Sequence, residues 1–324
     1  MTATILLACP FPAAMRDRLA PFGTVVGPCA PADIPDPAAV RVLVTMGTLQ
    51  TDVALMDRLP GLELICCYGS GYEGVDLTAA LSRRIIVTHS PGANAAAVAD
   101  LAMALLLGAI RRIPQADRFV RDGRWSGASP ARMPTVRGLT GRRVGVFGLG
   151  AIGEKIARRA AAFETEVAYH SRTPRPGVPW AYHPTLAALA GWADVLMVAA
   201  RADASNRHVV DRDVLAALGP DGVVVNIARG SLIDEAAMIA LLEAGALGGA
   251  GLDVFENEPT VPAALCALPQ VVLAPHVGGN TMDGHDAMQG MVVANVAAFI
   301  AGRTVPTPVP EMPDQSREEQ PSDE

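Results

Sequence analysis

Short apolar runs recur along most of the chain and alternate with longer stretches of helical character. Strands are predicted at Thr4–Leu7, Val42–Val44, Leu64–Cys66, Ile85–Val87, Arg143–Phe147, Val167–Tyr169, Val195–Val198, Val223–Asn226, Gly251–Val254 and Val271–Leu273. Their hydrophobicity is continuous rather than alternating, which is typical of strands covered on both faces. Such strands occur in parallel sheets with helices on each side, so the pattern predicts an α/β fold.

The order of these elements predicts two domains. The strand series begins afresh after a loop rich in Gly, Ser, Pro and Arg at 123–141. Two long apolar helices without an obvious strand partner, Ala95–Arg112 and Asp283–Ala301, flank the second series. We therefore expect the second domain to be inserted into the first. The predicted bounds are 1–98 and 284–310 for the first domain, 99–283 for the second, and 311–324 for a disordered tail rich in Pro, Glu and Ser.

The composition excludes several classes of protein. The chain has 324 residues, of which 50% are hydrophobic and 18% charged, so it can form about two domains with sizeable cores. The formal net charge is −7 and the aromatic content is 4%, whereas a nucleic-acid surface needs a basic face or stacking rings. Lys155 is the only lysine, which disfavours Schiff-base and P-loop chemistry. We expect no nucleic-acid partner.

The five cysteines show no CxxC pair and no histidine at zinc-binding spacing. This pattern is typical of a reduced, cytoplasmic protein and predicts no metal site. Cys66 and Cys67 end an apolar run, so we interpret them as buried strand residues. The N-terminus lacks the basic stretch of a signal peptide. The longest apolar segment, 93–110, is interrupted by Asp100, which favours a buried helix over a membrane span.

A glycine-rich turn stands between a predicted strand and a predicted helix. Gly148, Gly150 and Gly153 form a GxGxxG pattern that also includes Ala151 and Ile152. The first glycine permits a tight turn, the second lets a pyrophosphate approach the backbone, and the third lets the helix pack on the strand. The helix N-terminus presents free N–H groups to the phosphates. We therefore expect a dinucleotide cofactor at this turn.

The end of the next strand indicates which dinucleotide binds. NAD-binding chains carry an acidic residue there for the ribose 2′-hydroxyl, whereas this chain continues as Ser171, Arg172 and Thr173 without a carboxylate. Two hydroxyls and a guanidinium would instead hydrogen-bond a 2′-phosphate. We expect NADPH, with NADH as a weaker cofactor. The alternative is that Arg172 and Arg175 only solvate a surface loop.

Three ionisable residues follow late predicted strands, where open α/β sheets bind their ligands. Arg229 lies in the stretch Asn-Ile-Ala-Arg-Gly, Glu258 in Asp-Val-Phe-Glu-Asn-Glu-Pro, and His276 in Ala-Pro-His-Val-Gly-Gly. The spacings between them are 29 and 18 residues. Individually each residue has an ordinary explanation, as an ion-paired surface arginine, a loop glutamate and a turn histidine, but their joint occurrence after successive strands indicates a functional site.

With these motifs, and with those at 69–76 and 97–102, the sequence resembles the D-isomer-specific 2-hydroxyacid dehydrogenase family over nearly the whole chain. Its nearest look-alikes are the NADPH-dependent glyoxylate and hydroxypyruvate reductases. The resemblance implies two Rossmann-like parallel-sheet domains, a flavodoxin-like substrate domain and a dinucleotide-binding domain, with the active site in the cleft between them. It also implies reduction of a small 2-keto acid to the D-2-hydroxy acid by hydride transfer from NADPH.

Residue roles follow from the same resemblance. His276 is implied as the acid–base group, Glu258 as the carboxylate that tunes it, and Arg229 as the cation that binds the substrate carboxylate. The main-chain N–H groups of Ser70 and Gly71 are implied to bind the other carboxylate oxygen. The implied cofactor contacts beyond the glycine turn are Ser171, Arg172, Thr173, Ala200, Ala228, Asp253, His276 and Gly278, with Asp253 near the nicotinamide carboxamide.

The chain also departs from the family pattern. Ala151 stands where family members often carry Arg, which removes one phosphate contact. His285 lies in a stretch where relatives tend to have Glu and Arg, and we expect it to be a surface histidine at a helix start. The family is usually homodimeric, so a homodimer is implied, with the helix 95–110 as a candidate interface and Trp125 and Arg132 as candidate contacts.

Two other functions stay open. A broad 2-keto-aldonate or aryl-pyruvate reductase of the same family would use the same residues with a different substrate side chain. A non-catalytic dinucleotide-sensing protein, similar to a corepressor, could use the same fold, because fold alone does not determine function.

Overall fold

The computed structural model describes residues 3–29, 33–34, 36–128 and 130–313. The chain divides into two compact units: one contains the described residues up to Asn94 and from Thr281 onward, and the other is Ala95–Asn280. Each unit is built on a parallel sheet with helices on its faces, which confirms the predicted α/β fold class. The boundaries predicted at 98/99 and 283/284 fall inside the two helices that begin close to these divisions.

Among the described residues, the strands are β1 (Thr4–Leu7), β2 (Thr24–Val26), β3 (Val40–Met46), β4 (Leu64–Tyr68), β5 (Ile86–Thr88), β6 (Arg143–Phe147), β7 (Glu166–His170), β8 (Ala181–Tyr182), β9 (Val195–Val198), β10 (Val223–Asn226), β11 (Gly249–Leu252) and β12 (Val271–Leu273). The helices are α1 (Ala14–Leu19), α2 (Val53–Arg58), α3 (Leu77–Ser82), α4 (Ala95–Arg111), α5 (Ile113–Arg121), α6 (Ala151–Ala162), α7 (Leu186–Trp192), α8 (Arg212–Ala217), α9 (Glu235–Glu243), α10 (Ala263–Ala267) and α11 (Met282–Ile300). Several helices begin at an aspartate N-cap whose carboxylate accepts a main-chain N–H three residues on, as at Asp52, Asp76, Asp211 and Asp234.

The first unit carries a sheet whose described strands run in the order β2-β1-β3-β4-β5, with all neighbours parallel. Successive side chains of a strand point to opposite faces. Ile5, Val42 and Leu64 therefore pack with α1 and α11, whereas Leu43 and Ile65 pack with α2 and α3. Both faces are buried, which explains the continuous apolar runs of the sequence.

The second unit carries a parallel sheet in the order β12-β11-β10-β9-β6-β7-β8 among the described residues. Helices α4 and α6 cover one face, and α7 to α10 cover the other. The direction of strand succession reverses between β6 and β9. In open parallel sheets, ligands bind at the carboxyl ends of the strands at such a reversal, so this edge is where a cofactor site is expected.

Cys66 and Cys67 are buried residues of β4, as the sequence predicts. Burial raises the pKa of the Cys66 thiol to about 12, with a smaller opposing contribution from the Thr88 hydroxyl. It also raises the pKa of Cys67. Both thiols are therefore protonated core residues rather than nucleophiles.

The apolar helix predicted over 95–112 ends at Arg111 as α4, because Arg112 adopts a left-handed conformation with φ of 52°. Helix α5 follows directly and was not predicted. The apolar residues of α4, among them Val98, Ala102 and Leu106, are buried in the core of the second unit. The surface considered as a candidate dimer interface is thus largely covered by its own sheet and α6. Within the described residues, no helix is both long and apolar enough to cross a membrane.

Residues 311–313 of the predicted tail are described, and the rest of the tail lies outside the described residues. The Tyr72 hydroxyl donates a hydrogen bond of 2.8 Å to the Glu311 carboxylate. Val309, just before it, is buried in the core that α2 and α3 form with the sheet. The chain thus still packs against the first unit at the end of the described part.

Candidate active site

The glycine-rich turn joins β6 to α6 at the reversal of strand order. Gly148 has φ of 94°, and a Cβ on it would lie 2.4 Å from the Cα of Ala200. A Cβ on Gly153 would lie 1.9 Å from the carbonyl oxygen of Gly148. Gly150 is the N-cap of α6, and no described atom comes within 4 Å of its Cβ position. The turn therefore combines two tightly packed glycines with one bare backbone that faces open space.

This geometry fits the pyrophosphate of a dinucleotide. A phosphate can approach the backbone at Gly150, where a side chain would stand in its way, and the first N–H groups of α6 point toward it. Ala151 and Ile152 form the first turn of α6, Ala200 follows β9, and Ala228 follows β10. These predicted cofactor residues of the second unit thus lie in the segments that directly follow its central strands.

Arg175 anchors the loop after β7 to the glycine turn. Its Nη1 donates to the carbonyl of Leu149 at 2.6 Å and lies 3.3 Å from a carboxylate oxygen of Glu154 in α6. Its main-chain N–H donates to the Tyr169 hydroxyl at 2.8 Å. Arg175 is therefore a surface arginine, 44% exposed, whose side chain also bridges the loop after β7 to the glycine turn.

Arg172 lies in the same loop but in a different environment. Its side chain is 83% exposed, and its Nη1 lies 3.5 Å from Oδ2 of Asp203. Beside it, the Ser171 hydroxyl donates to the carbonyl of Thr173 at 2.7 Å. The loop therefore presents an exposed guanidinium on a fixed backbone, and an anion could compete with Asp203 for it.

The turn after β10 carries Arg229. The Asn226 side chain closes this turn: Nδ2 donates to the carbonyl of Arg229 at 2.9 Å, and Oδ1 accepts the N–H of Ala228 at 3.0 Å. Nη1 of Arg229 in turn donates to the carbonyl of Ala228 at 2.6 Å. The guanidinium thus bonds to the peptide that lies between the two peptides that Asn226 holds.

His276 and Glu258 form a direct pair. Nδ1 of His276 lies 2.7 Å from Oε2 of Glu258, and Oε1 of Glu258 accepts the N–H of Phe255 at 3.0 Å. The side chains are 40% and 34% exposed, so the pair is open to solvent and ligands. Because Nδ1 faces the carboxylate, Nε2 is the ring nitrogen that can exchange a proton with a ligand.

Asp253 holds the segment that carries His276. Its two carboxylate oxygens accept the N–H groups of Val277 and Gly278, each at 2.8 Å, and its carbonyl accepts the N–H of His276 at 2.8 Å. The side chain is buried, and this burial raises the pKa of Asp253 despite the two amide hydrogen bonds. The family resemblance implies that Asp253 lies beside the nicotinamide carboxamide, but nothing in the sequence indicated that its carboxylate binds the amides after His276.

The Arg229 turn and the Glu258 loop pack directly on each other. A Cβ on Gly230 would lie 1.9 Å from the carbonyl carbon of Phe255, so only glycine allows this approach. The structure thus brings the segments of Arg229, Glu258 and His276 together at the carboxyl ends of β10, β11 and β12. This is the edge of the sheet that also carries the glycine turn.

Ser70 and Gly71 lie in the first unit, directly after β4. Nδ1 of His89 lies 2.9 Å from the carbonyl of Ser70, and the Ser70 hydroxyl donates to the carbonyl of Ser90 at 3.2 Å. A Cβ on Gly47 would lie 1.7 Å from the carbonyl oxygen of Gly71. These contacts fix the main chain of the Ser70–Gly71 segment, as a site that binds a ligand through main-chain groups requires.

His285 lies in the first turn of α11, as predicted, but it is partly buried. Its Nδ1 lies 2.7 Å from the hydroxyl of Tyr68, and the two rings stack at 5.9 Å. Burial raises the pKa of Tyr68 to about 12. His285 thus ties α11 to the end of β4 and is not the solvated surface histidine that the sequence suggested.

Comparisons with known proteins identify the family of the chain and several similar proteins. Residues 103–278 match the family model described as the NAD-binding domain of D-isomer specific 2-hydroxyacid dehydrogenases. The chain is 41% identical over 271 residues to glyoxylate/hydroxypyruvate reductase A of Arabidopsis thaliana, covering 84% of this chain and 86% of the relative. It is also 41% identical over 271 residues to the 2-ketogluconate reductase of Gluconobacter oxydans, with the same coverage.

A solved structure is similar over almost the full length. The NADPH-dependent glyoxylate/hydroxypyruvate reductase of Sinorhizobium meliloti, in complex with NADP and malonate, superimposes with a TM-score of 0.90 at 41% identity. The similarity covers 96% of this chain and 97% of that one.

Proposed function

The chain belongs to the D-isomer-specific 2-hydroxyacid dehydrogenase family and is an NAD(P)-dependent oxidoreductase, and from this premise we propose that it reduces glyoxylate, hydroxypyruvate or a similar small 2-keto acid to the D-2-hydroxy acid. NADPH is the proposed hydride donor. The observation that carries the proposal is the His276–Glu258 pair at 2.7 Å, packed beside the turn of Arg229. The intact set of Arg229, Glu258 and His276 argues against a non-catalytic dinucleotide sensor, and a turnover assay separates the two functions.

His276 is the proposed acid. Glu258 fixes the ring through Nδ1, so that Nε2 is the nitrogen that delivers the proton to the developing alkoxide. Because Oε1 of Glu258 is held by the N–H of Phe255, the carboxylate cannot rotate freely away from the ring. A fixed carboxylate keeps both the tautomer and the direction of proton delivery constant.

Arg229 is the proposed ligand of the substrate carboxylate. A guanidinium presents several N–H donors in one plane, which matches a carboxylate and can also polarise the neighbouring keto oxygen. The main-chain N–H groups of Ser70 and Gly71 are our proposed further donors to a substrate carboxylate. Both kinds of donor are held by the protein before the substrate arrives, which lowers the cost of ordering them.

The residues of the glycine turn fit a nicotinamide dinucleotide. Gly150 and the first N–H groups of α6 would bind the pyrophosphate, and Ser171, Arg172 and Thr173 would bind the 2′-phosphate of an NADP-type cofactor. The reduced nicotinamide, when bound, supplies the hydride for the carbonyl carbon. The solved relative from Sinorhizobium meliloti, which contains NADP, supports this choice of cofactor.

The cofactor preference is tested by Arg172→Asp. Each charge-assisted hydrogen bond to the 2′-phosphate contributes about 1.5–3 kcal/mol, or roughly 10- to 150-fold in discrimination. We expect the ratio of kcat/KM for NADPH over NADH to fall by at least this factor. Arg121→Asp is the control, because Arg121 is similarly exposed and also pairs with an aspartate, Asp117. An unchanged ratio in Arg172→Asp would contradict the preference.

The catalytic assignment is tested by His276→Gln and Arg229→Ala with glyoxylate and hydroxypyruvate as substrates. Loss of a general acid lowers turnover by about 10²- to 10⁴-fold. His208→Gln is the matched control, because His208 forms a 2.7 Å pair with Glu256 but has no proposed contact with substrate. Wild-type turnover in both test variants would disprove the mechanism.

A 2-keto-aldonate reductase is the second candidate, because the chain is as similar to a 2-ketogluconate reductase as to the glyoxylate/hydroxypyruvate reductase. Initial rates with NADPH against glyoxylate, hydroxypyruvate, phenylpyruvate and 2-ketogluconate compare the candidates directly. The proposal predicts the highest kcat/KM with one of the two smallest acids. A clear preference for 2-ketogluconate would favour the second candidate.

We further propose that the protein works as a cytoplasmic homodimer, as the family resemblance and the cysteine pattern imply. Light scattering on the purified protein measures the mass in solution, and a mass of one chain would overturn the dimer. Fractionation of cells that produce the protein tests the location.

A further inference from the structure

We propose that Asn226 is a positioning residue that sets the direction of the Arg229 guanidinium and thereby the affinity for the substrate carboxylate. This inference rests on the proposed function, in which Arg229 binds that carboxylate. Asn226 ends β10 and is 1% exposed. Its side chain lies under the turn of Arg229, so it acts without being part of the ligand-accessible surface.

The side-chain amide of Asn226 holds the Ile227–Ala228 and Arg229–Gly230 peptides, which lie on either side of the peptide that joins Ala228 to Arg229. Oδ1 accepts the N–H of Ala228 at 3.0 Å, and Nδ2 donates to the carbonyl of Arg229 at 2.9 Å. The carbonyl of Ala228 then accepts Nη1 of Arg229 at 2.6 Å. The Ala228–Arg229 peptide, which lies between the two peptides that Asn226 holds, therefore links the amide of Asn226 to the guanidinium.

The main chain of Asn226 extends the same arrangement toward the acid. Its carbonyl accepts the N–H of Asp253 at 2.9 Å, and the carboxylate of Asp253 accepts the N–H groups of Val277 and Gly278, directly after His276. Hydrogen bonds of 2.8–3.0 Å thus run from the Arg229 turn to the His276 segment. Only the part toward Arg229 depends on the side chain of Asn226, because the part toward His276 uses its carbonyl.

The chemistry of this position requires an amide. One end of the side chain must accept an N–H and the other must donate to a carbonyl, and Asn does both within one short group. Alanine removes both hydrogen bonds and leaves buried peptide groups to rearrange. Aspartate keeps the size of Asn226 and the oxygen that accepts the N–H of Ala228. Its second oxygen, however, replaces the NH2 group and cannot donate to the carbonyl of Arg229.

The test compares Asn226→Ala with Asn295→Ala. Asn295 is also 1% exposed and also makes side-chain hydrogen bonds, to the carbonyl of Met291 at 3.0 Å and to Thr307 at 2.7 and 3.0 Å. It lies in α11 of the first unit and hydrogen-bonds no residue proposed here to contact substrate or cofactor, so its loss should act mainly on stability. The probes are oxamate, a small carboxylate analogue of the substrate, and NADPH, whose binding is followed by fluorescence without substrate.

We expect Asn226→Ala to raise the oxamate inhibition constant and the KM for glyoxylate about tenfold or more, as the loss of one to two hydrogen bonds implies. The NADPH dissociation constant should rise much less than the oxamate inhibition constant, because Ala228 is the one proposed cofactor contact that Asn226 holds and Gly150 is not touched. The midpoints of the pH–rate profile should stay within a few tenths of a pH unit, because the His276–Glu258 pair is not touched. Asn295→Ala should lower the melting temperature and leave both binding constants unchanged. A lower melting temperature with wild-type oxamate binding in Asn226→Ala would overturn the proposal.

If Asn226→Ala does not fold, Asn226→Asp tests the positioning role in its place. Weak oxamate binding with intact NADPH binding in this variant supports the positioning role. Oxamate binding equal to wild type, or an equal loss of both ligands, overturns it. Wild-type turnover of glyoxylate is measured first, since its absence would contradict the proposed function and this assignment with it. If the wild type turns over glyoxylate and the Asn226 variants bind oxamate as the wild type does, only the positioning role is contradicted.

Discussion

Replacing the glycines of the β6–α6 turn one at a time separates binding of the cofactor from packing of the fold. Gly150→Ala adds a methyl group where no described atom lies within 4 Å, at the N-cap of α6 and with φ of −82°, which alanine adopts without strain. Gly153→Ala adds the same group 1.9 Å from the carbonyl oxygen of Gly148. Gly191→Ala is the control, because Gly191 lies in α7 with open space around its Cβ position.

The magnitudes follow from these surroundings. At Gly150 the alanine should change the free energy of unfolding by less than about 1 kcal/mol, because loss of the N-cap preference and the lower entropy of the unfolded chain offset each other. It should weaken dinucleotide binding by about 10- to 150-fold, since one charge-assisted hydrogen bond of roughly 1.5–3 kcal/mol is blocked. At Gly153, α6 must move by roughly 1 Å to relieve the contact, which costs about 1–3 kcal/mol.

Two measurements on each purified variant check this reasoning: the melting temperature without ligand and the dissociation constant of NADPH from fluorescence. Gly150→Ala should keep the melting temperature and lose binding, whereas Gly153→Ala should lose both, with a fall of about 3–10 °C for a unit of this size. Gly191→Ala should bind normally and gain up to about 1 kcal/mol from helix propensity. NADPH binding of wild-type strength in Gly150→Ala would show that the pyrophosphate does not lie at this turn.

Other predictions follow from single contacts. Gly230→Ala should lower kcat/KM for glyoxylate by about 10²-fold with a folded circular dichroism spectrum, because its Cβ would lie 1.9 Å from the carbonyl carbon of Phe255 and misplacement by about 1 Å has this effect; wild-type kinetics would refute it. Burial alone would raise the pKa of Asp194, but a main-chain N–H and two guanidinium groups outweigh it and lower the pKa below its usual value. The charged form is therefore favoured in the folded state, and its stabilisation is present above about pH 4 and lost as the pH falls further. The melting temperature should accordingly fall more steeply below pH 4 in wild type than in Asp194→Asn, and parallel curves would contradict this. At pH 8 an aromatic disulfide reagent should label the exposed Cys266 and spare Cys66, whose pKa burial raises to about 12; rapid labelling of Cys66 in the native protein would exclude its burial.

Much of the fold could be predicted because parallel strands buried on both faces leave a strong local signal. The predicted bounds of the strands at 143–147, 195–198, 223–226 and 271–273 agree with the structure at both ends. The strands β2 and β8 were missed, since three and two residues at the edge of a sheet are too short to form a pattern. Helix α5 was missed because the left-handed turn at Arg112 interrupts what the sequence suggests is the end of one helix, and Pro114, in the first turn of α5, was not used as a start signal.

Part of the candidate site could also be predicted, because it consists of local features of the sequence. Glycines and charged residues after strands are local features, so the turn at Gly148–Gly153 and the positions of Arg229, Glu258 and His276 could be identified. Contacts between segments far apart in sequence could not. The hydrogen bonds from Asp253 to the amides of Val277 and Gly278 span more than twenty residues, and the one from Arg175 to Leu149 spans 26. Only the folded chain shows which side chains support the ones that act.

The first unit is built from two segments that are far apart in the sequence, so it cannot be completed until the end of the chain has been synthesised. The strands β1 to β5 leave the ribosome first, but the sheet face that carries Ile5, Val42 and Leu64 is completed by α11, which begins at Met282. At roughly 5–20 residues per second, about 10–40 s pass between β5 and the start of α11. The second unit, continuous in sequence, can fold within that interval. The first part of the protein to be made is therefore the last to be covered, and translation rather than folding sets how long its apolar face stays open to chaperones or to other nascent chains.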